Sequence, residues 1–597
     1  MSEYRAPLRD IQFVLKELAG LDEVAQLPGC EEAAADMVTA VLEEAARFAE
    51  GVLSPLNSVG DREGALFKDG QVTMPKGFKK AYKLFAESGW TALGCEPEWG
   101  GQGLPKLVVA AVTEMWKSAN HAFSLCPLLT GGAIEALALA GSDPLKKIFL
   151  EKMVRGEWTG TMNLTEAGAG SDLAAVRTRA EPQADGSYRI FGQKIFITYG
   201  EHDMADNIIH LVLARTPTAP QGIKGISLFI VPKFMVGADG RPGERNDAWC
   251  VSIEHKLGIH ASPTAVMAFG DKGGAVGYLV GEENRGLEYM FIMMNAARFG
   301  VGMEGVAVCE RAYQRARDYA KTRVQGTDIG VRGGEKVVII AHPDVRRMLM
   351  SMKAQAEASR ALAYVVAAAH DKALHHPQAG LRKQNQAFVD LMIPVVKGWS
   401  TEIGIAVAST GIQVHGGMGF IEETGAAQHL RDARISTIYE GTTGIQANDL
   451  IGRKMAREGG ATFSTVIAMM RALDAKLAKQ DNAHLAAIHC RFSAAVDALL
   501  RAGEWLVATY AIDIRAASAG AVPFLTLFGI VAGGWQMARA ALVAQTRIEG
   551  GDSDPFYPAK IITARFFADH LLSQAEGLAS SVTDGAVSVM ALAEEHF

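Results

Sequence analysis

Four short segments combine glycine with side chains that can exchange protons or hold a ligand. They are MNLTEAGAGSD (162–172), GQKIFIT (192–198), QVHGGMGF (413–420), and LRDAR followed by YEGTT (430–434 and 439–443). The last contains Glu440, a carboxylate that can accept a proton if its surroundings raise its affinity for one. Each segment alone has a simpler explanation, since glycine and threonine runs form turns and a lone glutamate is usually solvated. Their joint presence in this order indicates a functional site.

Familiar nucleotide and metal motifs do not occur in the sequence. It has no G-x-x-x-x-G-K-[ST] loop, no G-x-G-x-x-G between a strand and a helix, and no H-E-x-x-H pair. His375 and His376 lie beside Pro377 in a predicted loop and are interpreted as a surface pair. We therefore expect no metal site, and a nucleotide cofactor would be held by another geometry.

Composition and charge limit the class of protein. With 49% hydrophobic residues, 21% charged residues and a net charge of −7, the chain is typical of a globular protein, and nothing in this total suggests a nucleic-acid partner. Six scattered cysteines without a C-x-x-C pair indicate a reducing compartment, which predicts a cytoplasmic protein. The apolar residues from Leu8 to Leu18 are spaced as in an amphipathic helix and not as in a secretory signal. No run of 18 apolar residues free of charge occurs, so no membrane span is expected.

The elements that position the four segments change character along the chain. Residues 1–158 have apolar residues at the spacing of helices. Short runs rich in β-branched and aromatic residues then predict antiparallel strands over 188–199, 208–215, 226–232 and 264–269. Long helical patterns return over 287–322, 343–373 and 384–410. In the tail, Val466, Met470 and Leu473 mark the core-facing stripe of a further helix.

This order of helices, strands and helices fits neither a βαβ alternation nor a sandwich. It predicts an α+β fold, mostly α, with a small antiparallel β domain between two helical bundles. The predicted domains are a helical domain over residues 1–158, a β domain over 159–280, a second helical bundle over 281–455 and a C-terminal helical extension over 456–597.

With the four segments in this order, residues 40–455 resemble the acyl-CoA dehydrogenase family. Chain length and the helical tail resemble its long bacterial branch with a C-terminal extension, which includes methylmercaptopropionyl-CoA dehydrogenases. The resemblance implies the acyl-CoA dehydrogenase fold, with FAD held between the β domain and the second helical bundle. It also implies α,β-dehydrogenation of an acyl-CoA thioester to the trans-2-enoyl-CoA, as in the β-oxidation of fatty acids.

The resemblance assigns individual residues to the cofactor. Those assigned to the flavin ring are Met162, Leu164, Thr165, Phe196 and Thr198, and Thr442 is assigned to the pyrophosphate. Phe196 stands where the family often has Trp, and it still offers an apolar cover for the ring. Gly444 stands where the family often has Gln, so one polar contact with FAD is expected to be missing.

Two further segments imply an oligomer. Arg323 matches an arginine that reaches the FAD of a neighbouring subunit, where a buried pyrophosphate needs a fixed cation. Gln413, Gly416 and Gly417 match a loop that contacts the same FAD, and its glycines allow close approach. A homodimer is therefore the smallest functional assembly expected.

Glu440 matches the catalytic base of the family. Because the α-proton of a thioester is far less acidic than a carboxylic acid, the base needs a pKa raised by burial, and the enolate needs hydrogen bonds at the thioester oxygen. Flavin N5 then accepts the β-hydride. The resemblance places Ser171 against CoA, Arg298 beside the base and Gly441 in the substrate site; Arg298 alternatively lies on a helix surface.

The resemblance also implies a partner, electron-transfer flavoprotein, which takes the electrons. Two alternatives remain open at this point. An acyl-CoA oxidase uses the same base and flavin but passes electrons to O2. A non-catalytic family member that associates with DNA needs a basic stripe, whereas the lysines and arginines of the tail are interspersed with acids, as on a solvated face.

Overall fold

The computed structural model describes residues 4–597. Its α-helices are α1 Leu8–Phe13, α2 Leu21–Val24, α3 Ala35–Phe48, α4 Ser54–Glu63, α5 Phe78–Glu87, α6 Lys106–Ala119, α7 His121–Ala140, α8 Asp143–Leu145, α9 Glu151–Val154, α10 Gly286–Thr322, α11 Pro343–His375, α12 Ala379–His415, α13 Ala426–Ala433, α14 Thr443–Asn448, α15 Ala461–Leu477, α16 Ala483–Tyr510, α17 Ile514–Ala519, α18 Ala521–Glu549, α19 Phe556–His570, α20 Ala575–Asp584 and α21 Ala586–Ala591.

The strands are shorter and lie mainly between residues 158 and 280. They are β1 Leu66–Lys68, β2 Gln71–Thr73, β3 Trp158–Asn163, β4 Arg179–Pro182, β5 Tyr188–Thr198, β6 Asn207–Ala214, β7 Ser227–Pro232, β8 Phe234–Val236, β9 Pro242–Arg245, β10 Ala248–Ile253, β11 Thr264–Phe269, β12 Ala275–Val280, β13 Val324–Thr327 and β14 Lys336–Val338. The predicted fold class, a mostly helical α+β fold, is confirmed.

The main sheet has eight strands in the order β10-β11-β5-β12-β7-β6-β3, with β4 also paired to β5. The predicted strands pair antiparallel, but β3, which lies outside the predicted runs, is parallel to β6. The chain between them passes through β4 and β5, which supplies the long connection that a parallel pair requires. Every residue of β6 is buried, as expected for a strand covered on both faces.

A short hairpin lies in the stretch predicted to be wholly helical. Strands β1 and β2 are joined by Asp69 and Gly70, both with positive φ. An Asp-Gly pair in this conformation is a favoured two-residue hairpin turn.

The described chain divides into two compact units. The β unit comprises residues 47–104 and 119–297, and its core joins α7, α9 and the inner face of strands β3, β6 and β7. The helical unit comprises residues up to 46, then 105–118, and 298 onward. It contains most of α10, together with α11, α12 and the helices of the C-terminal extension.

Trp399 joins the C-terminal extension to the rest of the helical unit. Its indole, on α12, lies against Gly529 and Gly533, one turn apart on α18. A Cβ atom at Gly529 would lie 2.1 Å from Cγ of Trp399, so only glycine permits this approach.

Within residues 4–597, three helical stretches, 121–140, 379–420 and 521–549, are long and apolar enough to cross a membrane. Between 67% and 83% of their apolar windows are buried inside the protein. A helix that is apolar on every face is also typical of the core of a large protein. Burial in the core accounts for the apolar composition of these three helices.

Candidate active site

Glu440 lies in the turn that precedes helix α14. Its backbone has a conformation that residues other than glycine rarely adopt. Its φ is +54° and that of Gly441 is +87°, so two successive residues are left-handed. Two buried side chains donate hydrogen bonds to the carbonyl groups of Glu440 and Gly441. Gln446 donates from Nε2 to the Glu440 oxygen at 3.0 Å, and Lys397 donates from Nζ to the Gly441 oxygen at 2.6 Å. Strained backbone held by its surroundings is typical of functional sites.

Buried charges surround this turn. Glu304 on α10 pairs with Lys117 at 3.1 Å and accepts a hydrogen bond from the hydroxyl of Tyr439. Arg298, also on α10, pairs with Asp449 at 3.2 Å, and its Nε has no partner among the residues described. Arg298 is buried, so the alternative of a helix-surface arginine is wrong.

The half-buried carboxyl group of Glu440 has a raised pKa, which favours its neutral, protonated form. Burial raises the pKa of Glu440 to about 7, with Arg298 and Lys397 opposing the rise and Glu304 adding to it. Burial also lowers the pKa of the Lys397 ammonium to about 8. A carboxyl group with a pKa near 7 is a suitable proton acceptor at neutral pH.

The backbone N–H of Glu440 is a second functional group. Within the described chain, nothing accepts a hydrogen bond from it. The turn therefore offers a ligand both a proton acceptor and a hydrogen-bond donor. Thr442, exposed at the start of α14, accepts from the N–H of Ile445 at 3.2 Å and so acts as the helix cap.

A second group of predicted residues lies together in the β unit. The carbonyl of Thr165 accepts from the N–H of Ile195 at 2.9 Å, and Lys194 donates to the carbonyl of Leu164 at 2.9 Å. The segment after β3 is thus bonded to β5 just before Phe196. Met162, Thr165 and Thr198 are partly exposed, Leu164 is buried, and Ser171 lies in the exposed loop that follows.

Phe196 has the properties expected of a ring-binding residue. It is 59% exposed although it is a large apolar residue in a strand, and its φ is +59°. Positions Gly168 and Gly170 in the neighbouring loop have no other atoms within 4 Å of a Cβ position. An exposed aromatic face beside hydroxyl groups and an open loop fits a planar ligand with a polar edge, such as flavin.

A third group lies at the far end of helix α12. Gln413, Gly416 and Gly417 are exposed there, and the ring of His415 stacks on Tyr319 near the end of α10 at 4.4 Å. Arg323, which follows α10, is therefore at the same end of the helical unit and is also exposed. Lys397 beside Glu440 precedes Gln413 by 16 residues of one helix, about 24 Å. The structure does not bring this group to the Glu440 turn of the same chain.

The sequence reasoning missed the buried residues that support the Glu440 turn, namely Lys117, Glu304, Lys397 and Gln446. A signal was available for Lys397, because it interrupts the apolar run IPVVKGW (393–399). A lysine in such a run is rarely buried unless a partner satisfies its charge.

Comparisons with known proteins cover the whole chain. Four acyl-CoA dehydrogenase family models match it: the N-terminal domain at residues 36–157, the middle domain at 161–271, the C-terminal domain at 284–455, and the "Acetyl-CoA dehydrogenase C-terminal like" model at 465–593. The chain is 49% identical over 593 residues to 3-methylmercaptopropionyl-CoA dehydrogenase of Ruegeria pomeroyi, covering 98% of this chain and 99% of the relative. It is 38% identical to the broad-specificity linear acyl-CoA dehydrogenase FadE5 of Mycobacterium tuberculosis, over 96% of each chain.

Solved structures share the fold. ACDH-11 of Caenorhabditis elegans in complex with C11-CoA superposes with a TM-score of 0.76 at 20% identity, covering 99% of this chain and 97% of the other. An acyl-CoA dehydrogenase from Bacillus anthracis complexed with FAD superposes with a TM-score of 0.74 at 20% identity, covering 98% and 93%. At this level of identity the likeness concerns the fold, including the C-terminal extension.

Proposed function

This chain belongs to the acyl-CoA dehydrogenase family, a family of FAD-dependent oxidoreductases that act on CH–CH bonds, and we propose that Glu440 is its catalytic base. One observation carries the proposal: Glu440 combines a pKa near 7 with an uncommitted backbone N–H in a single turn. In this proposal the carboxylate takes the α-proton of an acyl-CoA thioester.

The chain contributes three effects to this reaction. An apolar acyl group bound against Glu440 removes water and raises its proton affinity further. The N–H of Glu440 is available to donate to the thioester oxygen, where negative charge develops as the proton leaves. Gln446 and Lys397 hold the turn, so the carboxylate and the donor are fixed before substrate arrives. Bound FAD supplies the acceptor for the hydride that leaves the β-carbon.

For the cofactor, we assign the flavin ring to Met162, Leu164, Thr165, Phe196 and Thr198, and the pyrophosphate to Thr442. The exposed ring of Phe196 supports this assignment. Ser171, Arg298 and Gly441 are assigned to the acyl-CoA.

Arg323, Gln413, Gly416 and Gly417 are assigned to the FAD of a second copy, which makes the enzyme a homodimer. The distance of about 24 Å along α12 supports this assignment, since these residues are remote from Glu440 of their own chain. Exposed apolar side chains at the same end, Met418, Phe420 and Ile421, also favour a protein contact there.

We further propose that the enzyme is cytoplasmic, acts in acyl-CoA oxidation and passes its electrons to electron-transfer flavoprotein. The relative from Ruegeria pomeroyi suggests thioether-containing acyl-CoA, and 3-methylmercaptopropionyl-CoA in particular, as the first substrate to test.

The direct test is Glu440→Gln. We expect a folded, yellow protein that binds acyl-CoA but whose flavin absorbance does not bleach under anaerobic conditions, whereas the wild-type absorbance does. Retained bleaching in Glu440→Gln would exclude Glu440 as the base. Reoxidation of the reduced wild-type enzyme in air distinguishes the oxidase alternative, since rapid peroxide formation would show that O2 is the acceptor.

A further inference from the structure

Lys397 is buried in the middle of helix α12. Burying a charged side chain costs free energy unless hydrogen bonds or opposite charges compensate it. Its Nζ donates a hydrogen bond to the carbonyl oxygen of Gly441, the residue directly after Glu440, at 2.6 Å. This carbonyl belongs to the left-handed pair of residues in the turn. A charge-assisted bond at that point opposes relaxation of the turn to an ordinary backbone conformation.

Buried charges of both signs lie around the Glu440 turn. Those that act directly on its carboxyl group are the cations Arg298 and Lys397 and the anion Glu304. Glu304 is paired with Lys117, and Arg298 with Asp449. The further charged and titratable groups around the turn are Glu402, Asp432, Tyr439 and Arg453, of which Glu402 and Arg453 reach solvent.

Unlike the other two buried cations, Lys397 has no carboxylate bonded to it among residues 4–597. Lys117 is paired with Glu304, and Arg298 with Asp449. Lys397 instead bonds a neutral carbonyl, so its charge acts on Glu440 and Glu304 through space. An opposite charge within about 4–6 Å of a carboxyl group favours its ionised form.

We propose that Lys397 is a positioning residue for proton abstraction: its ammonium group holds the left-handed Glu440–Gly441 turn and keeps Glu440 ionised and ready to accept a proton. This inference rests on the proposed role of Glu440. Burial of the acyl substrate favours the protonated form of the base, and Lys397 limits that effect so that the carboxylate persists before the reaction.

The test compares Lys397→Met, Lys397→Arg and Gln446→Met as FAD-loaded enzymes. Met matches the length of the lysine stem without its charge, whereas Arg keeps the charge. Gln446→Met removes the neighbouring hydrogen bond to the turn and no charge, so it is the matched control for backbone support. Absorbance of bound FAD and thermal melting show which variants are folded.

We expect Lys397→Met to move the acidic limb of the kcat–pH profile upward by about one pH unit. The rate below that limb then falls about tenfold, with little change in KM. Lys397→Arg should restore the wild-type limb, and Gln446→Met should lower kcat without moving it. A second readout, exchange of the substrate α-proton with D2O followed by NMR, should shift with pH in the same way.

Lys397→Gln covers the case in which Lys397→Met does not fold. It removes the charge but keeps an N–H donor for the Gly441 carbonyl, so its acidic limb should also move upward. An unmoved limb in Lys397→Met, or in Lys397→Gln if the first variant is unfolded, overturns the inference. Wild type and Glu440→Gln are measured in parallel: if the wild type does not bleach, or Glu440→Gln does, the proposed function fails rather than the role of Lys397.

Discussion

Lys560 and Asp10 are 550 residues apart in the sequence and form a buried ion pair. Lys560 lies on α19 of the C-terminal extension and Asp10 on α1. Both belong to a larger buried network, in which Arg360 on α11 bonds Asp10 at 2.6 Å, as well as Glu114 and Glu310. The network therefore joins the two ends of the chain to the middle of the helical unit.

Removing Lys560 should destabilise the protein. Lys560→Met leaves Asp10 and Glu357 with less compensation in a buried site, and breaking such a pair costs about 3 kcal/mol. Chemical denaturation measures the loss. The control is Arg501→Met in the same extension, where the pair with Glu576 is exposed and worth less than about 1 kcal/mol. Equal losses in the two variants would contradict this prediction.

Activity should depend on the ionisation of Glu440. Because the base works only when deprotonated and its pKa is raised to about 7, the rate of flavin reduction should fall about tenfold per pH unit below pH 7. Stopped-flow absorbance under anaerobic conditions measures this limb. A rate that stays constant down to about pH 5, near the ordinary pKa of a carboxyl group, would be incompatible with this prediction.

The same carboxyl group should reduce stability at high pH. Since the pKa of Glu440 is raised on folding from 4.5 to about 7, its protonated form favours the folded state at low pH, and this contribution is lost as pH rises through 7. Glu440→Gln should therefore raise the melting temperature at pH 8 and change it less at pH 4. The gain is at most about 3 kcal/mol, and less because Glu440 is only half-buried. A larger gain at pH 4 would reverse the predicted sign.

Gly529 should not tolerate a methyl group. Gly529→Ala places a Cβ atom 2.1 Å from Cγ of Trp399, and displacement of the ring or of α18 costs about 1–3 kcal/mol. Gly577 on α20 is exposed with no atom near its Cβ position, so Gly577→Ala should stabilise the helix by about 0.5–1 kcal/mol. Thermal melts of the two variants should move in opposite directions.

Arg323 should affect retention of FAD rather than the chemistry within its own chain. Arg323→Met is expected to lose FAD during dialysis, because a fixed cation for the pyrophosphate is removed. Arg332→Met is the control, an exposed arginine in the loop between β13 and β14. Mixing Arg323→Met with Glu440→Gln then tests the dimer, since mixed dimers recover one complete site only if Arg323 acts on the neighbouring subunit.

The sequence allowed the order of elements to be predicted because the periodicity is local. Strand β11 occupies Thr264–Phe269 as predicted, and α10 begins at Gly286, one residue before its predicted start. The hairpin at Asp69 and Gly70 was missed although the turn signal was present. The parallel pairing of β3 with β6 depends on the path of the intervening chain, which no local pattern specifies.

The candidate site was only partly predictable for the same reason. Glu440 stands out through its motif, but the buried charged residues around it come from three distant helices. Lys117, Glu304 and Lys397 have no motif in common and meet only because α6, α10 and α12 pack together. The separation of Arg323 from Glu440 within one chain likewise depends on the lengths of the helices between them. Residue types alone do not predict it.

The buried pairing of Asp10 with Lys560 also bears on how the protein is made. Asp10 and Glu357 leave the ribosome long before Lys560 does, so their ion pairs with this lysine cannot form until nearly the whole chain has been translated. A message cut short before codon 560 would yield a polypeptide in which both interior acids lack one of their cations, and such a product should be a substrate for proteolysis.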